Sequence, residues 1–178
     1  MENALFPFKI GQFNCLAIND VDDWNCNVLL IDTGQQRVLI ETGNGDSISP
    51  AGLLVGQLRE AGISPDEIDI IILTHADCDH IGGMADKGGI QTFPQARVVM
   101  SRQEWTFWSS KPERLLPNDQ YDEDFRRWAN TVTETRLPHL GDKLELIESQ
   151  AEIVPGIGVI PAFGHTPGML AITVSSAG

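Results

Sequence analysis

At 178 residues, 42% of them hydrophobic, the chain can bury a substantial core and has an ordinary length for one unit, so residues 1–178 are expected to form a single domain. Twelve Lys and Arg against 25 Asp and Glu leave a net charge of −13, which repels polyphosphate and anionic lipid and argues against a nucleic-acid or membrane partner. The first eight residues lack a basic segment followed by an apolar one, no window approaches a membrane span, and Cys15, Cys26 and Cys78 show no C-x-x-C spacing. A cytoplasmic protein without a disulfide framework is expected.

Ile10 to Ile18, Asn27 to Asp32 and Arg37 to Glu41 read as three strands, the last two joined through Thr33-Gly34-Gln35-Gln36 as a hairpin. Gly43-Asn44-Gly45-Asp46 follows as a flexible loop. Ser49-Pro50 then opens a helix through Leu53, Leu54, Gln57, Leu58 and Glu60, which stops at Ala61-Gly62. The run Ile68-Asp69-Ile70-Ile71-Ile72-Leu73 reads as a buried strand. Just past its carboxyl end, where open α/β sheets carry their chemistry, stands Thr74-His75-Ala76-Asp77-Cys78-Asp79-His80-Ile81-Gly82-Gly83.

His75, Asp77, Asp79 and His80 are all good ligands for a divalent cation. Extended backbone points residues 75 and 77 the same way, and a tight turn at 79 to 80 swings the second pair toward an adjacent position. One loop can therefore feed two neighbouring sites. Without a cation, carboxylates this close would repel each other and raise a pKa. The competing reading is a solvated acidic turn with incidental histidines. Two of the four histidines falling between a buried strand and Gly82-Gly83 favours metal. Cys78 occupies a spacer position and reads as a packed or supporting residue rather than a ligand.

Gly82 to Gly89 is expected as a short helix or turn and Ala96 to Met100 as a strand. Ser101 and Glu104 form a capping box that starts a helix carrying Trp105, Phe107 and Trp108, which either line an apolar pocket or, as favoured here, pack into the core. Lys111 to Asn118 reads as a linker or lid. Asp119 to Asn130, with Tyr121, Phe125 and Trp128 at helical spacing, reads as a helix whose aromatics simply pack. Thr131 to Leu137, Lys143 to Ile147, Gln150 to Val154, Gly158 to Pro161 and Met169 to Val174 then read as strands of a second sheet. His139 reads as a surface residue. His165 differs, because Gly164 and Thr166-Pro167-Gly168 fix a loop that could present its imidazole to the cation of the earlier loop. Glu41 and Asp46 either support the metal loop as acceptors or are ordinary strand-end and turn residues.

The segment T-H-A-D-C-D-H-I-G-G resembles the H-x-H-x-D-H motif of the metallo-β-lactamase superfamily, with Asp77 where the family usually has its second histidine. Val38-Leu39-Ile40-Glu41-Thr42-Gly43 resembles its L-I-D-T-G strand end, with Glu41 for the aspartate. Phe93-Pro94-Gln95-Ala96 resembles the lead into the next strand, and Gly164-His165-Thr166-Pro167-Gly168 resembles its G-H-T-P-G loop. The likeness covers essentially the whole chain. It implies an α/β fold (α+β in some schemes), an αββα sandwich, and a small-molecule substrate. It also implies a metal-dependent hydrolase in which metal-bound water attacks an ester, lactone or phosphotriester. His75, Asp77 and His165 would hold one cation, Asp79 and His80 would face a second, and Asp79 would orient or deprotonate the water.

Zinc is the expected cation, with manganese or iron as alternatives because Asp77 supplies a hard oxygen in place of a nitrogen. A carboxylate there is also similar to the iron-binding oxidoreductase branch, which sets an iron-dependent oxidoreductase as the alternative activity. Past His165 the chain contains no further Asp, Glu, His or Cys, whereas the resemblance implies a bridging aspartate and a final histidine. The expectation is therefore a domain missing its C-terminal part, with an underfilled second site and apolar surface that a homodimer partner could cover. A metal-binding fragment without activity is the third reading.

Overall fold

The computed structural model describes residues 5–22, 24–49, 51–110, 122–148 and 150–177. The expected linker Lys111 to Asn118, together with Pro50 and Tyr121, lies outside them. A hairpin of β1 (Leu5–Ile10) and β2 (Phe13–Asn19) leads into β3 (Asn27–Asp32), β4 (Arg37–Ile40) and α1 (Leu54–Glu60). Next come β5 (Ile70–Ile72), the single turn α2 (Cys78–Ile81), β6 (Arg97–Ser101), α3 (Arg102–Ser109) and α4 (Glu123–Arg136). The chain then runs through β7 (Leu144–Ile147), β8 (Ala151–Val154), β9 (Ile157–Pro161) and β10 (Leu170–Val174).

β1 to β7 lie side by side in that order, antiparallel through β4 and parallel from β4 to β7, while β10, β9 and β8 make a separate antiparallel sheet. Successive side chains of the central strands point to opposite faces, and both faces are covered. Leu39, Ile71 and Val98 meet Leu54 and Leu58 of α1 and Trp108 of α3. Val38, Ile40, Ile70, Ile72 and Val99 meet Val154, Ile157, Val159 and Leu170 of the small sheet. This double cover explains why all three isoleucines of β5 are fully buried. The layers run helices, large sheet, small sheet. Among the described residues, no helix covers the outer face of β8–β10, where Ile160 stands exposed. No described helix is long and apolar enough to cross a membrane.

Five expectations need correction. Thr131 to Leu137 is not a strand, because α4 continues to Arg136. Its buried Ala129, Val132, Thr133 and Arg136 recur at helical spacing, and Thr131 and Thr135 return their hydroxyls to the Arg127 and Val132 carbonyls, so burial overrides the β-branched composition. β7 joins β6 in the large sheet, not the small one, after a turn over Leu137–Lys143 in which Gly141 has φ 59° and Leu137 and Leu140 are buried. A further strand, β1, precedes the first one expected. Finally, residues 43–46 are not a loose loop. The fully buried Asp20 carboxylate accepts the amides of Asn44 (2.7 Å), Gly52 (3.3 Å) and Leu54 (2.9 Å) and the Asn44 side chain (3.2 Å). The start of α1 is also corrected, to Leu54 rather than Ser49-Pro50; Leu53 supplies no side-chain cap, and Asp20 accepts the Leu54 amide in its place.

Candidate metal centre

The polar loop leaves β5 at Thr74, whose amide donates to Glu41 Oε1 at 3.1 Å and whose hydroxyl lies 2.9 Å from His75 Nδ1. Those contacts fix the His75 ring with Nε2 turned inward. Asp77 is extended (φ −65°, ψ 155°) before the helical turn of α2 begins, so His75 and Asp77 point together and Asp79 and His80 are carried to a second position. Gly83 lets α2 sit tightly against the end of β4: a Cβ there would lie 2.1 Å from the Thr42 carbonyl oxygen. Thr42 in turn donates both its amide and its hydroxyl to the His80 carbonyl.

His165 arrives from the loop before β10. Its Nε2 lies 2.9 Å from Asp77 Oδ2, and that same oxygen is 3.7 Å from His75 Nε2. The His75 and His165 rings meet edge to face with centroids 5.0 Å apart, and the His75 and His80 rings stand 3.9 Å apart. On the other side, His80 Nδ1 lies 3.4 Å from Glu41 Oε2 and His80 Nε2 lies 3.5 Å from Asp79 Oδ2. Among the described residues two sets of candidate ligand atoms result, each with all members within 4.8 Å of one another: His75, Asp77 and His165, and Glu41, His75 and His80. Asp79 falls in neither set and lines the adjoining cleft.

Electrostatics follow from burial and close charge. Burial pushes the His75 pKa down to about 2, with His80 and His165 adding to the fall, so this ring is a neutral nitrogen donor. Burial pushes Asp77 up to about 6 against the pull of His165. For His80, burial works against the charged ring, but attraction from Glu41, Asp79 and Asp77 outweighs it and raises the pKa to about 9.

Glu41 Oε2, His75 Nε2, Asp77 Oδ1 and His80 Nδ1 are buried without a hydrogen-bond partner. Leaving such an atom unpaired costs about 1–3 kcal/mol. Glu41 Oε2 and His80 Nδ1 meet each other only as an ion pair at 3.4 Å, and the cluster of imidazoles and carboxylates fits divalent cations held by the two sets above.

The remaining expected residues sort clearly. Glu41 serves the loop directly and does so with φ 70°, a conformation unusual for a side-chain-bearing residue and one that aims its carboxylate at Thr74 and His80. Asp46 does not reach the cluster: it pairs with Arg136 (2.8 Å), whose Nε donates to the Gly82 carbonyl, and accepts the Lys87 amide. Cys78 is packed against Ala129 and Val132, with burial raising its thiol to about 12. His139 lies outside the site, its carbonyl accepting from Gln91.

A cleft of about 210 Å³ opens beside the cluster, with Trp24, Ile48, Trp108, Phe125 and Trp128 on its apolar wall and Asp77, Asp79, His80 and His165 at its polar end. Trp105, Phe107 and Trp108 all pack on the main core, as the favoured reading expects. Of the three, Trp108 also lines the cleft. Phe125 and Trp128 pack against Cys78, Ala129 and Val132 as expected and line the cleft as well.

Glu104 was also missed. It is fully buried and accepts the Ala76 amide and the Trp108 indole at Oε1, and the Thr166 hydroxyl and Gly168 amide at Oε2. Ser101 caps its amide as expected, but the carboxylate turns inward instead of completing the capping box. In sequence it looks like any acidic first-turn residue, which is normally exposed.

A family model described as the metallo-beta-lactamase superfamily matches residues 21–178. Among curated proteins, the chain is 28% identical to a probable metallo-hydrolase of Mycobacterium tuberculosis over 96% of this chain and 59% of that one. It is 26% identical to the N-acyl homoserine lactonase AiiA of Bacillus thuringiensis subsp. kurstaki, over 78% of this chain and 54% of that one. The chain thus spans between about half and three fifths of the length of these relatives. Among solved structures, AidC, a dizinc quorum-quenching lactonase, superposes with a TM-score of 0.84 at 24% identity, covering 97% of this chain and 71% of that one. The hydrolase AbOPH superposes with a TM-score of 0.83 at 22% identity, covering 99% and 71%. At these identities the structural likeness speaks for the fold.

Proposed function

The chain belongs to the metallo-β-lactamase superfamily, and from that premise we propose that it is a divalent-metal-dependent hydrolase acting on a small ester, lactone or phosphotriester with an apolar group. The observation that carries this reading is the convergence of four buried atoms without a hydrogen bond, on Glu41, His75, Asp77 and His80, with His165 at the polar end of an apolar cleft. His75, Asp77 and His165 would hold one cation. Asp79 and His80 face a second position, with Glu41 behind His80.

When bound, such a cation supplies a Lewis acid and a water acidic enough to lose its proton near neutral pH. The chain's own groups do the rest. Neutral His75 offers its Nε2 lone pair, and Thr74 keeps that ring from turning. Asp79, partly exposed at the cleft, is placed to orient a nucleophile and take its proton. Trp24, Trp108, Phe125 and Trp128 exclude water and hold the apolar part of the substrate. Zinc is the leading cation, and the hard oxygen of Asp77 keeps manganese and iron in contention.

One observation favours a second reading. Two imidazoles and one carboxylate, His75, His165 and Asp77, form the donor set that non-haem iron also uses, which supports an iron-dependent oxidoreductase. The test is a set of proteins loaded with zinc, manganese or iron and assayed on aryl esters, lactones and phosphotriesters, with oxygen uptake followed in parallel. Hydrolysis lost in Asp79→Ala supports the first reading. Oxygen consumption by the iron form without hydrolysis would replace it with the second, and no turnover by any form would reject both.

A further inference from the structure

We propose that Glu104 is the positioning residue that sets the separation of the two metal-bearing loops, holding His165 within reach of the cation that His75 and Asp77 bind. The inference rests on the metal reading given above. Each of its loop contacts is close in sequence to a proposed ligand. Ala76, whose amide donates to Oε1 at 3.0 Å, lies between His75 and Asp77; Thr166, whose hydroxyl donates to Oε2 at 2.6 Å, directly follows His165; and the Gly168 amide adds a bond at 3.1 Å.

His165 needs such support. Its side chain is 53% exposed and meets Asp77 and His75 at its inner edge alone, so where the ring sits depends on the backbone around it. That backbone is seated on the first turn of α3 so closely that a Cβ on residue 168 would lie 2.1 Å from the Glu104 amide nitrogen. The other loop is gripped from two sides, because the Ala76 amide goes to Glu104 while its carbonyl accepts the Thr133 hydroxyl of α4 at 2.9 Å. One buried carboxylate accepting four donors is the pattern of a rigid reference point, since charge-assisted bonds are short and about twice as strong as neutral ones. Oε1 also fixes the Trp108 indole at 2.8 Å, so the cleft wall and the His75 loop are registered to the same atom.

Two variants separate positioning from plain stabilisation. Glu104→Gln keeps the size but turns an amide NH₂ toward donors, and Thr166→Val removes a single donor from the His165 loop. Cobalt(II) serves as the probe, its affinity read by titration and its ligand field by visible absorption. Amide hydrogen exchange is read on the metal-free proteins. Glu104→Gln is expected to speed exchange at Ala76 and Gly168 together while Leu73 stays protected, to weaken cobalt binding at least tenfold, and to shift the cobalt spectrum as His165 drops out. Thr166→Val should move the same readings the same way by less.

Wild-type cobalt affinity and spectrum in both variants, with only their melting temperatures lowered, would overturn the proposal. Faster exchange in one loop without the other would do the same. If the wild-type chain takes up no cobalt, the metal reading fails, and exchange at Ala76 and Gly168 still decides whether Glu104 ties the loops.

Discussion

Asp77 Oδ2 and His165 Nε2 are separated by 88 positions in sequence and by 2.9 Å in space. The contact joins a loop after β5 to a loop before β10, and each partner also belongs to a set of three candidate ligands that includes His75. His165→Ala should therefore weaken binding of zinc or manganese at least tenfold by calorimetric titration while leaving the sheet intact by circular dichroism. Unchanged affinity would remove the 164–168 loop from the centre.

Residue 77 would also set the hardness of the candidate donor set. Asp77→His exchanges an anionic oxygen for a neutral nitrogen and should shift competition between zinc and manganese toward zinc. Selectivity equal to that of the parent would mean that residue 77 does not touch the cation.

Asp79 has a different part, since it belongs to neither ligand set and faces the cleft. Asp79→Asn is expected to cut turnover by about 10²–10⁴, the usual range for a proton-transfer group, with a much smaller loss of metal affinity. Steady-state kinetics beside metal analysis of the same sample distinguish the two effects.

The aromatic wall predicts a selective defect. Trp128→Ala should raise KM about tenfold for substrates with a bulky apolar group, leave compact analogues nearly unaffected, and change kcat little, because binding to the wall is shared by ground and transition states.

Away from the candidate metal centre, Asp20 is a buried polar anchor that accepts four donors. Asp20→Ala strands the Asn44, Gly52 and Leu54 amides and should cost about 3 kcal/mol in urea unfolding. Burial holds the Asp20 pKa above its ordinary 3.8, partly offset by the Asn44 and Leu54 amides, so the folded state binds this proton more tightly than the unfolded chain. That contribution is complete below 3.8 and fades as pH rises through the folded value. The deficit of Asp20→Ala should accordingly be larger in acid and narrow as pH rises across that window.

Local chemistry was what the sequence made legible. The buried run of isoleucines, the spacing of His75, Asp77, Asp79 and His80, and the glycine-framed His165 all act through short stretches, and the structure brings His75, Asp77 and His165 together. Features that depend on distant partners were hidden. Thr131 to Arg136 carries strand-like threonines and valine, yet packing of Val132 and Ala129 on Cys78 makes it helix. Nothing near Asp20 or Glu104 announces donors 24 to 64 residues away. Phe125 and Trp128 repeat at helical spacing, which marks an apolar face but not what that face opens onto.

The order of the large sheet bears on how the molecule is made. Because strands one to seven sit beside one another as they appear in the chain, each arriving strand meets an edge already in place, and the sheet can grow while synthesis proceeds. The clasp from the Leu170 amide to the Thr74 carbonyl, and the bonds that Thr166 and Gly168 make, must wait until that late segment has left the ribosome. A nascent chain therefore holds most of the large sheet before His165 is brought beside His75 and Asp77.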